Sequence, residues 1–124
     1  MKYYILSAAL LVLASSFMTF SFDEVVKAIK AGDASEVSKY FDNTVEITLP
    51  EKSNTYSKTQ AKLVLQDFFA SNSVKDFEIL HKSDNSGSQY CIGNLKTVNG
   101  TFRTTIFMKQ KGSDEVIQAL RFEK

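Results

Sequence analysis

Between Ser57 and Phe69 the apolar residues Ala61, Val64, Leu65 and Phe68 recur at the i, i+3, i+4, i+7 spacing of one helical face, with Phe69 widening the stripe and Lys58, Lys62 and Gln66 opposite. This spacing predicts an amphipathic helix. Ser57 and Gln60 form a capping box at its start, the serine oxygen accepting the amide three residues on and the glutamine reaching back. Phe22, Val25, Val26 and Ile29 repeat the stripe and predict a first helix over about 22–31, which Gly32 ends and Ser21 caps together with Glu24. Asp33 with Glu36 opens a short second helix whose apolar face is Val37, Tyr40 and Phe41, after which Asp42 and Asn43 turn the chain.

From Thr44 the period changes to two. Val45, Ile47 and Leu49 alternate with Thr44, Glu46 and Thr48 until Pro50, which predicts a half-buried strand, a turn over Glu51 to Asn54 and a brief return strand at Thr55 and Tyr56. Beyond Asn72 the turn signals divide the chain into four strands, about 75–83, 88–98, 101–110 and 115–122, an antiparallel meander. Asn99-Gly100 reads as a two-residue hairpin turn pairing Val98 with Thr101, Leu95 with Thr104, Gly93 with Ile106 and Cys91 with Met108. One face of that hairpin then carries Cys91, Gly93, Leu95, Phe102, Ile106 and Met108, and the helices should cover it. The other carries Tyr90, Ile92 and Phe107 among Asn94, Lys96, Arg103 and Lys109. At Asp84-Asn85-Ser86-Gly87 a three-residue loop puts Phe77, Ile79 and His81 on the uncharged face, and a four-residue loop flips all three. Burial of Phe77 and Ile79 favours the shorter loop.

At 124 residues with 44% hydrophobic and 23% charged residues, the chain has the size and composition of one globular domain. Lys2 followed by the apolar run Tyr3 to Leu13 has the form of a secretory signal, a basic start and an apolar stretch too short to span a bilayer. The reading is a leader within 1–21, cleaved after Ala14 or Ser16 rather than Ser21, and a single domain over 22–124 that is exported to the periplasm or secreted. With no cysteine at a cleavage position there is no lipid anchor, and a stable membrane tether remains only if the leader stays on. Loss of Lys2 with the leader balances fourteen basic against fourteen acidic residues, which argues against nucleic acid as a partner. Cys91, the single cysteine, has no partner for an intramolecular disulfide and no cluster of metal ligands around it; no metal or cofactor is expected.

Helices, a short hairpin, a longer helix and a four-stranded meander resemble the α+β cone of the nuclear transport factor 2-like superfamily. More narrowly, the leader followed by SFDEVVKAIKAGD, SKYFDNTVEITLP, KSNTYSKTQAKLVLQDFF and SGSQYCIGNLKTVNGTFRTTIFMKQKG is similar to a family of small exported Bacteroidota proteins known as a domain of unknown function. The resemblance implies a curved antiparallel sheet wrapped around the helices, an apolar pocket at the wide end and frequent dimerisation through the outer sheet face. It implies no activity, because the superfamily holds isomerases, dehydratases, hydrolases and non-enzymatic binding domains.

Catalysis in such a cone needs a base and an oxyanion-stabilising group inside it. His81 is the only histidine, and Tyr40 and Tyr56 are the hydroxyls that could accompany it in an isomerase or dehydratase type of site. Glu46 and Asp67 read as solvated carboxylates and Cys91 as a core thiol. The face holding Tyr90, Ile92, Arg103 and Phe107 has the aromatic centre and basic rim of a protein interface. The expectation is therefore a non-catalytic binding or interaction module, a homodimer through that face or a binder of a small apolar ligand or protein partner, with the small enzyme as the alternative.

Overall fold

The computed structural model describes residues 20–124, so residues 1–19 of the expected leader, with its cleavage positions at Ala14 and Ser16, lie outside the described residues. The elements are α1 (Phe20–Ala31), α2 (Ala34–Ser38), β1 (Phe41–Leu49), β2 (Lys52–Ser57), α3 (Lys58–Ser71), β3 (Val74–Asn85), β4 (Ser88–Thr97), β5 (Gly100–Lys111) and β6 (Asp114–Glu123). No helix among them is long and apolar enough to cross a membrane. The six strands form one curved sheet in the order β2-β1-β6-β5-β4-β3. Neighbours in the sheet are antiparallel except β1 and β6, which run parallel.

All three helices pack on one face of this sheet, in register with the apolar phase of the strands. Phe22, Val25 and Ile29 of α1, Val37 of α2, and Ala61, Leu65, Phe68 and Phe69 of α3 close on Val45, Ile47, Cys91, Leu95, Phe102, Ile106, Ile117, Leu120 and Phe122. Phe68 stacks on Phe122 with ring centroids 4.5 Å apart and meets Phe102 edge-on at 5.2 Å, so α3 is fixed by aromatic packing at the centre of the sheet.

The expected caps are present where the chain enters α2 and α3. Asp33 Oδ1 accepts from the Glu36 amide at 3.1 Å and Ser57 Oγ from the Gln60 amide at 3.2 Å. Ser21 differs: α1 already includes Phe20, so Ser21 lies inside the helix and does not cap it. Gly32 takes φ 65° at the end of α1, the left-handed turn expected of it.

The second helix is shorter than its stripe predicts. Tyr40 and Phe41 leave it because the Tyr40 carbonyl accepts the Ile117 amide at 2.7 Å, which starts β1 at Phe41, not at Thr44. The register against β6 then slips between Phe41 and Glu46. Asp42 holds this irregular stretch, its carboxylate accepting from the Asn43 amide (2.8 Å), Lys111 Nζ (2.7 Å) and Gln118 Nε2 (3.3 Å). The turn expected over Glu51 to Asn54 contracts to Pro50 and Glu51, since Leu49 already pairs with Lys52.

Two registers in the meander also differ from expectation. In the β4–β5 hairpin Thr97 pairs with Gly100, Leu95 with Phe102 and Cys91 with Ile106, so the loop is Val98-Asn99 with Gly100 beyond it at φ 109°. The cause is a set of side-chain ties. Thr97 Oγ1 accepts from the Asn99 amide (3.0 Å) and donates to the Gly100 carbonyl (2.8 Å), while Asn99 Nδ2 donates to the Ser71 carbonyl and Asn72 Oδ1, both at 2.8 Å. A shift by two preserves the phase of a strand, so the face holding Cys91, Gly93, Leu95, Phe102, Ile106 and Met108 is buried as expected.

In the β3–β4 hairpin neither expected loop occurs. Asn85 pairs with Ser88 across a two-residue turn, and the residue left over sits in the strand as a bulge at Leu80, between the Ile79–Gly93 and His81–Ile92 pairs. Phe77 faces Leu95 as expected, but every residue beyond the bulge changes face. Ile79, expected to be buried, is 38% exposed next to the bulge.

Candidate functional site

The sheet face turned away from the helices has no described element over it. At its centre Tyr90 and Phe107 are cross-strand partners with ring centroids 5.7 Å apart, and the His81 ring lies 5.8 Å from that of Tyr90. Ile92 sits between His81 and Thr105, and Phe107 remains 39% exposed. Charges of both signs surround this centre: Lys96 lies 3.7 Å from Glu78, Arg103 pairs with Asn94 and Glu123, and Arg121 with Thr105.

The helix-covered face ends differently at the β3–β4 and β5–β6 turns. There the strands keep the phase of the core but change to polar residues, Cys91 giving way to Gln89, Met108 to Gln110 and Ile117 to Glu115. Asp84, brought to the same face by the Leu80 bulge, pairs with Gln89. Asp84, Gln89, Gln110 and Glu115, with Ser21, Lys39, Tyr40, Phe41 and Lys58, line an open cavity of about 790 Å³. Smaller spaces of about 200 Å³, toward Phe22 and Lys82, and about 30 Å³, toward Met108, adjoin it.

Two oxygens on this lining, Gln89 Oε1 and Glu115 Oε1, are closed to solvent and accept no hydrogen bond among the described residues. Burial pushes the Glu115 carboxyl above the ordinary range, the negative charge of Asp84 adds to this, and a hydrogen bond from Ser21 opposes it. A pocket is thus present, with a lining that mixes polar and apolar side chains rather than the apolar one expected.

The residues singled out from sequence are distributed between the two faces. Tyr40 lines the cavity. Tyr56 packs at the core edge opposite Val45, and its hydroxyl accepts a long 3.4 Å contact from Asn54 Nδ2. His81 is on the outer face with Tyr90, away from both tyrosines, because the bulge reverses the side it would otherwise take. Tyr90, Ile92, Arg103 and Phe107 do share one face. Glu46 and Asp67 are exposed, and Cys91 is buried. Among the described residues no three histidine, cysteine or acidic side chains cluster as a metal site.

The comparisons with known proteins agree on the family. A family model described as a domain of unknown function, DUF4783, matches residues 22–123. A DUF4783 family protein from Bacteroides ovatus superposes with a TM-score of 0.79 at 33% identity, over 82% of this chain and 92% of that one. Another, from Bacteroides uniformis, gives 0.80 at 30% identity, over 82% and 94%. An NTF2-like protein of unknown function from Cytophaga hutchinsonii, 9% identical, shares the fold with a TM-score of 0.59 over 82% of this chain and 83% of its own. The search of curated proteins returns no match. By its matched residues, its relatives and its helix-filled curved sheet, the chain belongs to the DUF4783 family and has the nuclear transport factor 2-like fold.

Proposed function

We propose that the protein is an exported, non-catalytic interaction module that associates with a second copy of itself through the uncovered sheet face. The observation that carries the reading is the row of His81, Tyr90 and Phe107 rings on a face that no described element covers. An apolar centre rimmed by charge is the anatomy of a protein interface. Lys96, Arg103 and Arg121 alternate there with Glu46, Glu78 and Glu123, so the face does not repel its own copy across a two-fold axis. The enzyme alternative has less support, because His81 and the two tyrosines belong to opposite faces of the sheet.

Sedimentation velocity on the purified protein tests this. A dimer that dissociates in Phe107→Glu and in Tyr90→Glu, with thermal stability retained, is the expected result. A monomer at every concentration up to about 100 μM, well above the dissociation constant of a standard-sized interface, would sink it.

A further inference from the structure

We infer that the cavity at the open end of the sheet binds a small organic cation, a primary amine or a guanidinium compound, through the oxygens of Asp84, Gln89 and Glu115. This site lies on the opposite face from the proposed self-association, so either reading can fail without the other. A volume of about 790 Å³ is within the range of small-molecule sites, and the lining mixes Tyr40 and Phe41 with a few convergent polar groups.

The chemical class follows from which groups lack partners. Gln89 Oε1 and Glu115 Oε1 are both acceptors, both closed to solvent and both without a donor among the described residues. Buried acceptors of this kind cost stability unless something donates to them, and a guest carrying N–H groups supplies what the described residues do not. Asp84 lies directly across the ladder from Gln89 and lines the main cavity as well as both spaces adjoining it, so a carboxylate stands beside the unpartnered pair. A positive charge on the guest then makes each contact charge-assisted.

The lysines nearby are outweighed: the lining holds three carboxylates, Asp84, Asp114 and Glu115, against Lys58 and Lys39. Lys39 Nζ is held by Glu36 at 2.7 Å, and Lys82 Nζ lies over the Phe22 ring, 5.2 Å from its centroid. The competing occupant is water, for which the space of about 30 Å³ between Asp84, Gln89 and Glu115 is large enough.

A ¹H–¹⁵N NMR titration of the purified protein with agmatine decides, with 1,5-pentanediol as the neutral control and glutarate as the anionic one. Saturable shifts from agmatine alone, grouped on the amides of Asp84, Gln89 and Glu115, are expected. Glu115→Gln and Gln89→Leu should each weaken binding about tenfold or more, the loss of one charge-assisted contact. Asp84 is exposed, so Asp84→Asn should weaken binding without unfolding the protein if either core-facing variant fails to fold. Absence of saturable shifts up to about 10 mM agmatine would overturn the inference and leave water as the occupant; equal binding of glutarate would overturn the assignment of charge.

Discussion

Lys82 stands directly across the β3–β4 ladder from Cys91, on the helix-covered face of the sheet. This pairing places a cation beside a thiol that is fully buried. Burial pushes the Cys91 thiol up to about 11, and the Lys82 charge offsets only part of the effect. At about pH 8 roughly one thiol in a thousand is then ionised. Cys91 should therefore resist iodoacetamide in the folded protein and react fully in denaturant, as intact-mass spectrometry would record. Fast labelling of the native state would contradict the burial.

Gly93 is required by its neighbour across the strand pair. A Cβ there would approach the Glu78 carbonyl oxygen to 2.6 Å and the Phe77 ring carbons Cε1 and Cζ to 2.7 and 2.8 Å. Gly93→Ala should cost about 1–3 kcal/mol in urea unfolding, as overpacking does. Adding Phe77→Leu should restore only part of it, because the clash with the Glu78 backbone remains. A neutral Gly93→Ala would show that β3 yields more easily than this packing implies.

Asn99 ties two parts of the chain that are far apart in sequence. Its Nδ2 donates to the Ser71 carbonyl and Asn72 Oδ1 at the end of α3. Asn99→Ala should cost about 1 kcal/mol, and amide exchange should quicken in the last turn of α3 before it does in β1. Unchanged exchange there would remove Asn99 from this role.

Two carboxylates should respond to pH with opposite signs. The Asp42 carboxyl is held below its ordinary value by the Lys111 hydrogen bond and then by the Asn43 amide, so its stabilisation is present above the ordinary carboxylate range and is lost as pH falls through the lowered value. Glu115 is raised, so its contribution is complete below the ordinary glutamate value and is lost as pH rises through the raised one. Asp42→Asn should destabilise at about pH 7 and progressively less as the medium is made acidic, whereas Glu115→Gln should stabilise at about pH 7 and be near neutral in acid. Urea midpoints of the three proteins at neutral and acid pH check the signs.

Much of the architecture was legible because local periodicity is physically decisive. The stripes through Val25 and Ile29, and through Ala61, Leu65 and Phe68, became the buried faces of α1 and α3. The alternation through Cys91, Leu95 and Phe102 identified the covered face even though the hairpin register was displaced by two, since phase survives an even shift. Loop arithmetic was not legible. The chain near Asp84 can place one surplus residue in a turn or in a bulge, and only the assembled sheet chooses Leu80, which sends His81 outward and Asp84 inward. The cavity left a signal that was readable in retrospect, for Gln89, Gln110 and Glu115 are polar residues in phase with buried Cys91, Met108 and Ile117.

The parallel pairing of β1 with β6 bears on when the molecule can fold. On the side away from β2, Phe41 and Ile47 find their sheet partners in Ile117 and Leu120, which lie about seventy residues further along the chain but sit between the first hairpin and the rest of the meander. Until those residues are available, β1 has β2 alone, and a lone two-stranded hairpin is marginal in water. Such long-range closure slows folding and makes it nearly all-or-none. A chain emerging in order from the ribosome would thus stay open until β6 was free, with its own topology delaying collapse.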